Sequence, residues 1–576
     1  MPRANEELEE LLSEWAELLA VSGADAFRVR AYEKAARAIG GEAEDVRAFD
    51  DRAILAIPSV GKSMLARVRE YLDTGTVQEL EDLREAIPGG MRELLRIPGL
   101  GPKKAMLVHR ELGVASIADL QTAIAGQKLR GVKGLGAKTE ENLARNVANL
   151  RATGDRILLD AAMTTAEAVI ASITEAVDVE AISFAGSLRR MRETIGDLDV
   201  LVASEDAGPV MEAFCAMPRV AEVIAHGTTK SSIRTRKGFQ VDLRVVPADS
   251  WGAALIYFTG SKEHNIALRH RAIERGLKLS EWGLFEAESG SSIAARTEEE
   301  VYAALDLPWF PPTMRENTGE IEAAGAGTLP EPVTVEDLRG DLHSHTDMTD
   351  GVAPLERMVE AAAARGYEYY VITDHAEDLA MTGASREQML DQRKKIARLQ
   401  KKYPAMRLLH GSELNIGKDG GVDYDPEFLA GYDLLVASVH SLFRLSREET
   451  TARLIAAMEN PNVHVVGHPM ARLIGRREPI DCDFDAVCGA AVRTGTALEV
   501  NCFPDRLDLR DDLVRRAVER GVTLAIDTDS HAPRDLENVR YGVATAQRGW
   551  ARAADVLNAR PVEDVLAHVA AKRARA

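Results

Sequence analysis

The chain has 576 residues, 45% hydrophobic and 28% charged, with a formal net charge of −20. This is the composition of a soluble protein of about three to five domains; no uncharged apolar run reaches the roughly 18 residues a membrane helix needs, and the start, "MPRANEELEELLSEWAELL", lacks the apolar core of a signal peptide. Cys215, Cys482, Cys488 and Cys502 show no CxxC spacing and are expected as reduced thiols in a cytosol. Taken alone, an acidic balance argues against a nucleic-acid binder, since phosphates need Lys and Arg, but "HGTTKSSIRTRKG" (226–238) and "IPGLGPKKAMLVHR" are locally basic, and local patches decide binding.

Near the N-terminus one short pattern occurs three times: "AIPSVGKSMLARV" from Ala56, "RIPGLGPKKAMLV" from Arg96 and "GVKGLGAKTEENL" from Gly131. Each has an apolar residue, a tight turn, a glycine and then a helix. Glycine permits φ > 0 and close approach of a phosphate, and the helix start offers free N–H groups. One copy would be an ordinary turn; three point to DNA contact through Gly61, Gly99, Gly101, Lys103, Gly134 and Gly136. They resemble helix-hairpin-helix motifs, with Ser59 standing where glycine is usual and Lys133 where proline is usual.

Next, "GDLDVLV" (196–202) reads as a strand that places Asp197 and Asp199 on one face, and "FQVDLRVV" (239–246) as a second strand carrying Asp242. Carboxylates so close repel unless cations lie between them; three can hold two Mg²⁺ that activate an attacking oxygen and steady a leaving pyrophosphate. Upstream, "GSLRR" offers Gly186 and Ser187 to phosphates and Arg190 to developing charge.

The spacing GS–x(9)–DxD followed by an isolated strand aspartate resembles the nucleotidyltransferase pattern of DNA polymerase beta and its relatives, family X. "YFTGSKEHNIALR" (257–269) extends the resemblance. It implies that Tyr257 and Phe258 crowd the sugar 2′ position, that Gly196 and Gly260 line the nucleotide site, that Asn265 reaches the base edge, and that Arg269 meets the template. "AFRVRAYEKAARAI" and the first hairpin resemble the small domain that binds a gap's 5′-phosphate, here with Arg28, Tyr32 and Lys62. The lysine used there for lyase chemistry is matched by Arg67; a guanidinium stays protonated and is no Schiff-base nucleophile, which puts lyase activity in doubt.

Residues 316–337, "ENTGEIEAAGAGTLPEPVTVED", read as a linker. Seven apolar runs, each followed by a helical segment, then suggest a parallel barrel with its functional groups at the C-terminal strand ends. There stand His343, His345, Asp350, His375, Glu413, His440, His468, Asp529 and His531. Eight of the 13 histidines lie between 341 and 531, and imidazole plus carboxylate without thiolate suits two or three Mn²⁺, Zn²⁺ or Fe ions. Asp374 is expected to orient a ligand, His410 and His464 to be structural, and Arg472 and Arg476 either to meet substrate phosphate or to lie on the surface. The motifs "DLHSHTDMTDG", "ITDH", "GSELNI", "VASVHS", "GHP" and "DTDSH" resemble the PHP (polymerase and histidinol phosphatase) phosphoesterases.

The expected fold is multidomain: an α-helical helix-hairpin-helix region (a DNA-binding domain over 1–90 and fingers over 91–150), an α+β palm (151–250) and thumb (251–315), the linker, and an α/β (βα)7-type PHP barrel (338–576). The resemblance, to a bacterial family X DNA polymerase with a C-terminal PHP domain, implies a monomeric, cytoplasmic, gap-filling repair enzyme that uses dNTPs on gapped or nicked DNA. It would carry Mg²⁺ or Mn²⁺ in the palm and a PHP 3′→5′ exonuclease with AP-endonuclease or 3′-end cleaning activity. Two rivals are a non-polymerising DNA-binding scaffold carrying a small-molecule phosphatase and a nucleotidyltransferase acting on RNA ends.

Overall fold

A computed structural model describes residues 4–575 apart from 43, 88–90, 92–93, 95–96, 98, 153–155, 237 and 380–381. The N-terminal part is helical, from Ala4–Ser22 to Ala137–Ala152. Among the described residues one apolar core takes in Leu8 and Trp15, Val68, Leu94 and Leu100, and Val147. Each hairpin buries its apolar pair: Ile57 with Val60, Ile97 with Leu100, and Val132 with Leu135. In each, the second residue of the pair donates its N–H to the carbonyl of the first (2.9–3.1 Å). This closure needs left-handed backbone, found at Ser59 (φ 65°), Gly99 (φ 85°) and Gly134 (φ 95°). The first hairpin therefore keeps the turn with a serine, at the strain cost of a side chain in that region. Arg96 and Pro98, in the second, lie outside the described residues.

Gly61 and Gly101 precede helices Lys62–Thr74 and Pro102–Leu112, and neither helix has a side-chain cap. A Cβ built on Gly61, Gly101 or Gly136 would meet nothing of the protein within 4 Å. Internal packing thus gives no reason for glycine at these three places; close approach from outside does.

The palm is a five-stranded sheet: β1 (Ala181–Phe184), β2 (Leu198–Ala203), β3 (Val220–His226), β4 (Lys230–Thr235) and β5 (Gln240–Val246), in the order β1-β2-β5-β4-β3. Only β2 and β5 run parallel. The thumb packs beside it through a buried charge cluster. Glu298 accepts from Arg189 (2.7 and 3.0 Å), Arg315 (2.7 and 3.0 Å) and the Trp309 indole (2.9 Å). Two bidentate arginines satisfy a carboxylate that burial would otherwise expel.

The C-terminal part is a barrel of seven parallel strands in sequential order: β6 (Gly340–Asp341), β7 (Tyr369–Ile372), β8 (Arg407–Asn415), β9 (Leu434–Ser438), β10 (Val465–Val466), β11 (Ala497–Asn501) and β12 (Leu524–Asp527). A Ser344–Ser530 bridge and the Leu342 N–H to Asp527 bond (2.9 Å) draw its first and last strands together.

The segment expected as a linker is packed. Glu316 pairs with Arg190 (2.9 Å), helix Glu320–Gly325 buries Glu320 against His264 (2.6 Å), and Val333 lies in the barrel core. Its small, acidic composition hid these contacts because each partner lies far away in sequence. The barrel also grips the palm: Arg540 pairs with Glu167 (2.9 Å), Arg472 with Glu193 (2.8 Å), and Leu507 and Tyr541 enter the palm's apolar core. Arg357 pairs with Glu42 (2.8 Å) of the helical part.

Two outcomes follow from these features. Gly101→Val together with Gly136→Val should leave the fold intact and weaken binding to gapped duplex by about tenfold or more, the worth of one charge-assisted hydrogen bond, equally for unrelated sequences. Fluorescence-anisotropy titration of two duplexes checks this, and unchanged affinity removes the hairpins from DNA binding. At Glu298, burial works against the charged form, but Arg315 and Arg189 bring the carboxyl down from 4.5 to about 2. A depressed carboxyl stabilises the fold fully above its free value and loses that contribution as pH falls from about 4.5 toward 2; the whole is worth roughly 3 kcal/mol. Glu298→Gln should therefore melt well below wild type at pH 7, with the gap narrowing at pH 3. Equal gaps at both pH values would show that the arginines do not set its charge.

Candidate active sites

The palm site forms where β2 and β5 run side by side. Asp199 and Asp242 are direct lateral partners, so strand register alone puts both carboxylates on one face. Asp197 lies just before β2 and is exposed; the expected strand starts two residues late because Gly196 and Asp197 form a bend. Burial, then the charges of Asp197 and Asp242, push Asp199 up to about 7. Asp242 goes the other way: burial opposes its charge, but hydrogen bonds from Gln240, Lys230 and Ser232 hold it low. Lys230, which sequence reasoning did not single out, sets its ammonium 3.1 Å from Asp242. With Phe258 and Arg244 it helps line a small cavity of about 80 Å³ against both aspartates. One carboxyl driven toward neutrality by burial and by its acidic neighbours, plus a cation already drawn in, is the donor chemistry that suits divalent ions.

Gly186 is required here. It has φ 60°, and a Cβ on it would meet Asp199 Oδ2 at 2.3 Å. Ser187 follows in the short helix Gly186–Arg189. Arg190, expected at a phosphate, makes two bonds within the protein: Nε donates to Glu316 (2.9 Å) and Nη1 to the Thr259 carbonyl (2.6 Å). Both bonds help fix the Thr259–Gly260 turn, and Glu316 comes from far off in sequence. Gly260 sits against it, with a Cβ position 3.1 Å from Nη1. The turn ends the helix that presents exposed Tyr257 and, under Arg244 (4.8 Å), Phe258. Asn265 Nδ2 donates to the Tyr257 carbonyl (2.8 Å), while its buried Oδ1 has no partner among the described residues. Arg269 is exposed. At the small domain Arg67 is spent on Glu79 and lies over Trp15 (5.1 Å), and Arg28 pairs with the same glutamate (2.7 Å).

The second site closes over the C-terminal mouth of the barrel. Glu413, at the end of β8, lies 3.5 Å from His343, 3.6 Å from His345, 2.9 Å from His375, 3.1 Å from His440 and 3.0 Å from His468. Asp529 approaches His345 (3.1 Å), and Asp350 approaches His375 (3.1 Å) and His531 (3.4 Å). Burial opposes charge on His375 and His531, yet the neighbouring carboxylates raise them to about 10 and about 9. Donor atoms gather in three sets: His345, Asp350, His375 and His531; His343, His345 and Asp529; His375, Glu413 and His440. His343 Nε2, both ring nitrogens of His345 and Asp350 Oδ1 are buried without hydrogen-bond partners among the described residues. Buried lone pairs aimed at common points fit divalent cations, and the sharing of His345 and His375 fits neighbouring ions.

Several supporting groups escaped sequence reasoning. Glu499 orients His343 through Nδ1 (2.6 Å), Asn415 orients His440 (2.7 Å), and Asn501 holds Asp529 (3.0 Å). Glu499 and Asn501 lie two apart at the end of "ALEVN", the same strand-end position as the histidines, and that was the available signal. Asp374 accepts from Thr346 (2.9 and 2.7 Å), Thr349 and Gln392, which fixes the loop carrying Asp350. His410 stacks on Tyr432 and His464 accepts from the Leu435 N–H (2.9 Å), both in structural roles. Arg472 pairs with Glu193 of the palm while its buried Nε has no partner among the described residues, and the exposed Arg476 pairs with Asp505 (2.5 Å).

Comparison with known proteins covers all these parts. Family models match a helix-hairpin-helix domain over residues 3–77, a SAM-like helix-hairpin-helix tandem over 91–146, a DNA polymerase beta thumb over 254–316 and a PHP domain over 341–468. The DNA polymerase/3′-5′ exonuclease PolX of Bacillus subtilis (strain 168) is 36% identical over 558 residues, covering 96% of this chain and 97% of its own. DNA polymerase lambda of Rattus norvegicus is 27% identical over 51% of this chain and 53% of its own. A probable phosphatase of Acetivibrio thermocellus is 28% identical over 33% of this chain and 78% of its own. The chain belongs to the bacterial family X DNA polymerases that carry a C-terminal PHP domain.

Proposed function

We propose that the protein is a DNA-directed DNA polymerase that fills short gaps in repair and carries its own 3′→5′ exonuclease in the barrel, extending to 3′-end cleaning or cleavage at abasic sites. It acts as a monomer in the bacterial cytoplasm. The observation that carries this reading is the presence, on one chain, of a half-buried aspartate pair in parallel register and a separate buried cluster of imidazoles and carboxylates. A phosphatase on an inert scaffold has no use for the first, and the glycine-lined hairpins, open to the outside, favour duplex DNA over RNA ends.

Bound divalent ions, Mg²⁺ or Mn²⁺ in the palm and two or three Mn²⁺, Zn²⁺ or Fe ions in the barrel, would activate the attacking oxygen and neutralise the leaving one. This chain's own groups do the rest. The hairpins hold the duplex backbone without reading sequence. Gly186 lies against Asp199, and with Ser187 it would face the triphosphate; Tyr257 and Phe258 crowd the sugar, Asn265 offers Oδ1 toward the base edge, and Arg269 meets the template. A primer 3′-oxygen then bonds to the α-phosphorus and pyrophosphate departs. In the barrel, Glu499, Asn415 and Asn501 hold His343, His440 and Asp529 in place around the scissile phosphate.

The reading is tested by primer extension and degradation on one-nucleotide-gapped DNA with Mg²⁺ and with Mn²⁺. Asp242→Ala should lose nucleotide addition, at a cost of several kcal/mol of transition-state stabilisation, and keep DNA degradation. Extension near the wild-type rate would sink the palm assignment. Replacing His343 and His345 together by alanine should strip bound metal, measured by elemental analysis, and lower degradation by about three orders of magnitude or more while extension persists. Degradation that survives metal loss would refute a metallonuclease.

A further inference from the structure

Arg506 combines an unpartnered buried donor with a place beside the barrel's histidine–carboxylate cluster. It lies in the loop after β11, close to the barrel cluster, with Nε 3.5 Å from Asp529 Oδ2. That is longer than the roughly 2.7–2.9 Å of a charge-assisted hydrogen bond. Its Nη1 is buried and finds no acceptor among the described residues. Two arginines buried for structure have each of their donor nitrogens engaged. Arg315 spends Nε on the Phe310 carbonyl (3.0 Å) and its two Nη atoms on Glu298. Arg453 donates to the carbonyls of Gly417 (2.8 Å), Ser441 (3.0 Å) and Ile416.

An unpaired buried guanidinium donor costs free energy. A fixed positive charge beside groups suited to divalent cations costs more, because it repels the ions. Both costs are offset if a polyoxyanion lies between the ions and the guanidinium. The loop is also held still. Leu507, next in sequence, is buried in the palm's apolar core, and its carbonyl accepts from Arg472 Nη2 (2.6 Å), which in turn binds Glu193. Asp508 accepts the Met470 N–H (3.0 Å). Arg506 is thus pre-positioned by anchors on both domains, so little ordering entropy remains to be lost when an anion arrives.

We propose that Arg506 binds a nonbridging oxygen of the scissile phosphodiester in the barrel site and is a catalytic residue of DNA-end hydrolysis; this rests on the nuclease reading above. In that step a water oxygen bonds to phosphorus and gives up a proton. The P–O3′ bond breaks with its electron pair going to O3′, which takes up a proton and leaves as a hydroxyl. Nη1 donates to the phosphate oxygen throughout.

The test uses full-length protein, Mn²⁺ and a single-stranded oligonucleotide. Arg506→Gln should lower kcat/KM for degradation by about 100-fold, as for loss of one oxyanion donor, and Arg506→Lys should recover part of it. Bound Mn²⁺ and primer extension should stay at wild-type levels. An uncharged methylphosphonate at the terminal linkage should be strongly disfavoured by wild type and much less so by Arg506→Gln. Wild-type degradation by Arg506→Gln, equal discrimination by both proteins, or loss of bound Mn²⁺ along with activity overturns the proposal; the last would mean that Arg506 acts only by holding Asp529. If Arg506→Gln does not fold, Arg506→Lys supplies the same comparison. If wild type itself leaves the oligonucleotide intact while extending primers, the nuclease reading has failed and takes this inference with it.

Discussion

Everything at the barrel mouth depends on neutralising Glu413. Its carboxylate is buried beneath five imidazoles, and a buried charge costs several kcal/mol unless it is paired. Those five rings come from four strand ends other than that of β8, so the pairing exists only once the barrel has formed. The seam that joins the last strand to the first is itself polar. Thr528 and the His343 N–H bond Asp341, Asn558 bonds the Gly340 and Ile526 carbonyls, and burial together with Asp341 pushes Asp527 up. Barrel closure and site assembly are therefore one event.

The palm solves the same electrostatic problem differently. Parallel register forces Asp199 and Asp242 together, but both stay half-buried and Lys230 reaches one of them. A half-buried pair of carboxylates suits ions that arrive with a nucleotide and leave with pyrophosphate. The enclosed histidine cluster suits ions that stay. One chain thus keeps two classes of site whose burial differs as their chemistry requires.

The two sites are mechanically joined. The loop 502–508 belongs to the barrel, yet Leu507 packs inside the palm, and Arg548 donates to the Met191 carbonyl and to Asp511 (2.9 Å). The thumb is fastened to the palm through Arg189 and Glu298, and residues 316–337 continue that packing down to the barrel. Polymerase and barrel are held together by these contacts, and the loop beside the histidine–carboxylate cluster is itself anchored in the palm.

Much of this was legible in the sequence because it is local. A two-residue period puts His343 with His345 at one strand end, "GS" stands a fixed distance before its aspartates, and a left-handed turn followed by a helix needs only a few neighbouring residues. The seven strands, the three hairpins and the metal-capable donors all rest on such short-range rules. Partner choice does not. Nothing near Arg190 says that Glu316 will claim it, nothing near Arg472 points to Glu193, and an acidic, glycine-containing stretch looks free until His264 and Arg190 are seen to bind it. Lys230 and Arg506 went unnoticed for the same reason: their meaning depends on which groups lie within a few ångströms. The sequence by itself determined the elements, the faces they present and the chemical types at each strand end. Only the tertiary structure decided which charges meet, because Coulomb and hydrogen-bond energies depend on distance in space and burial, not on separation along the chain.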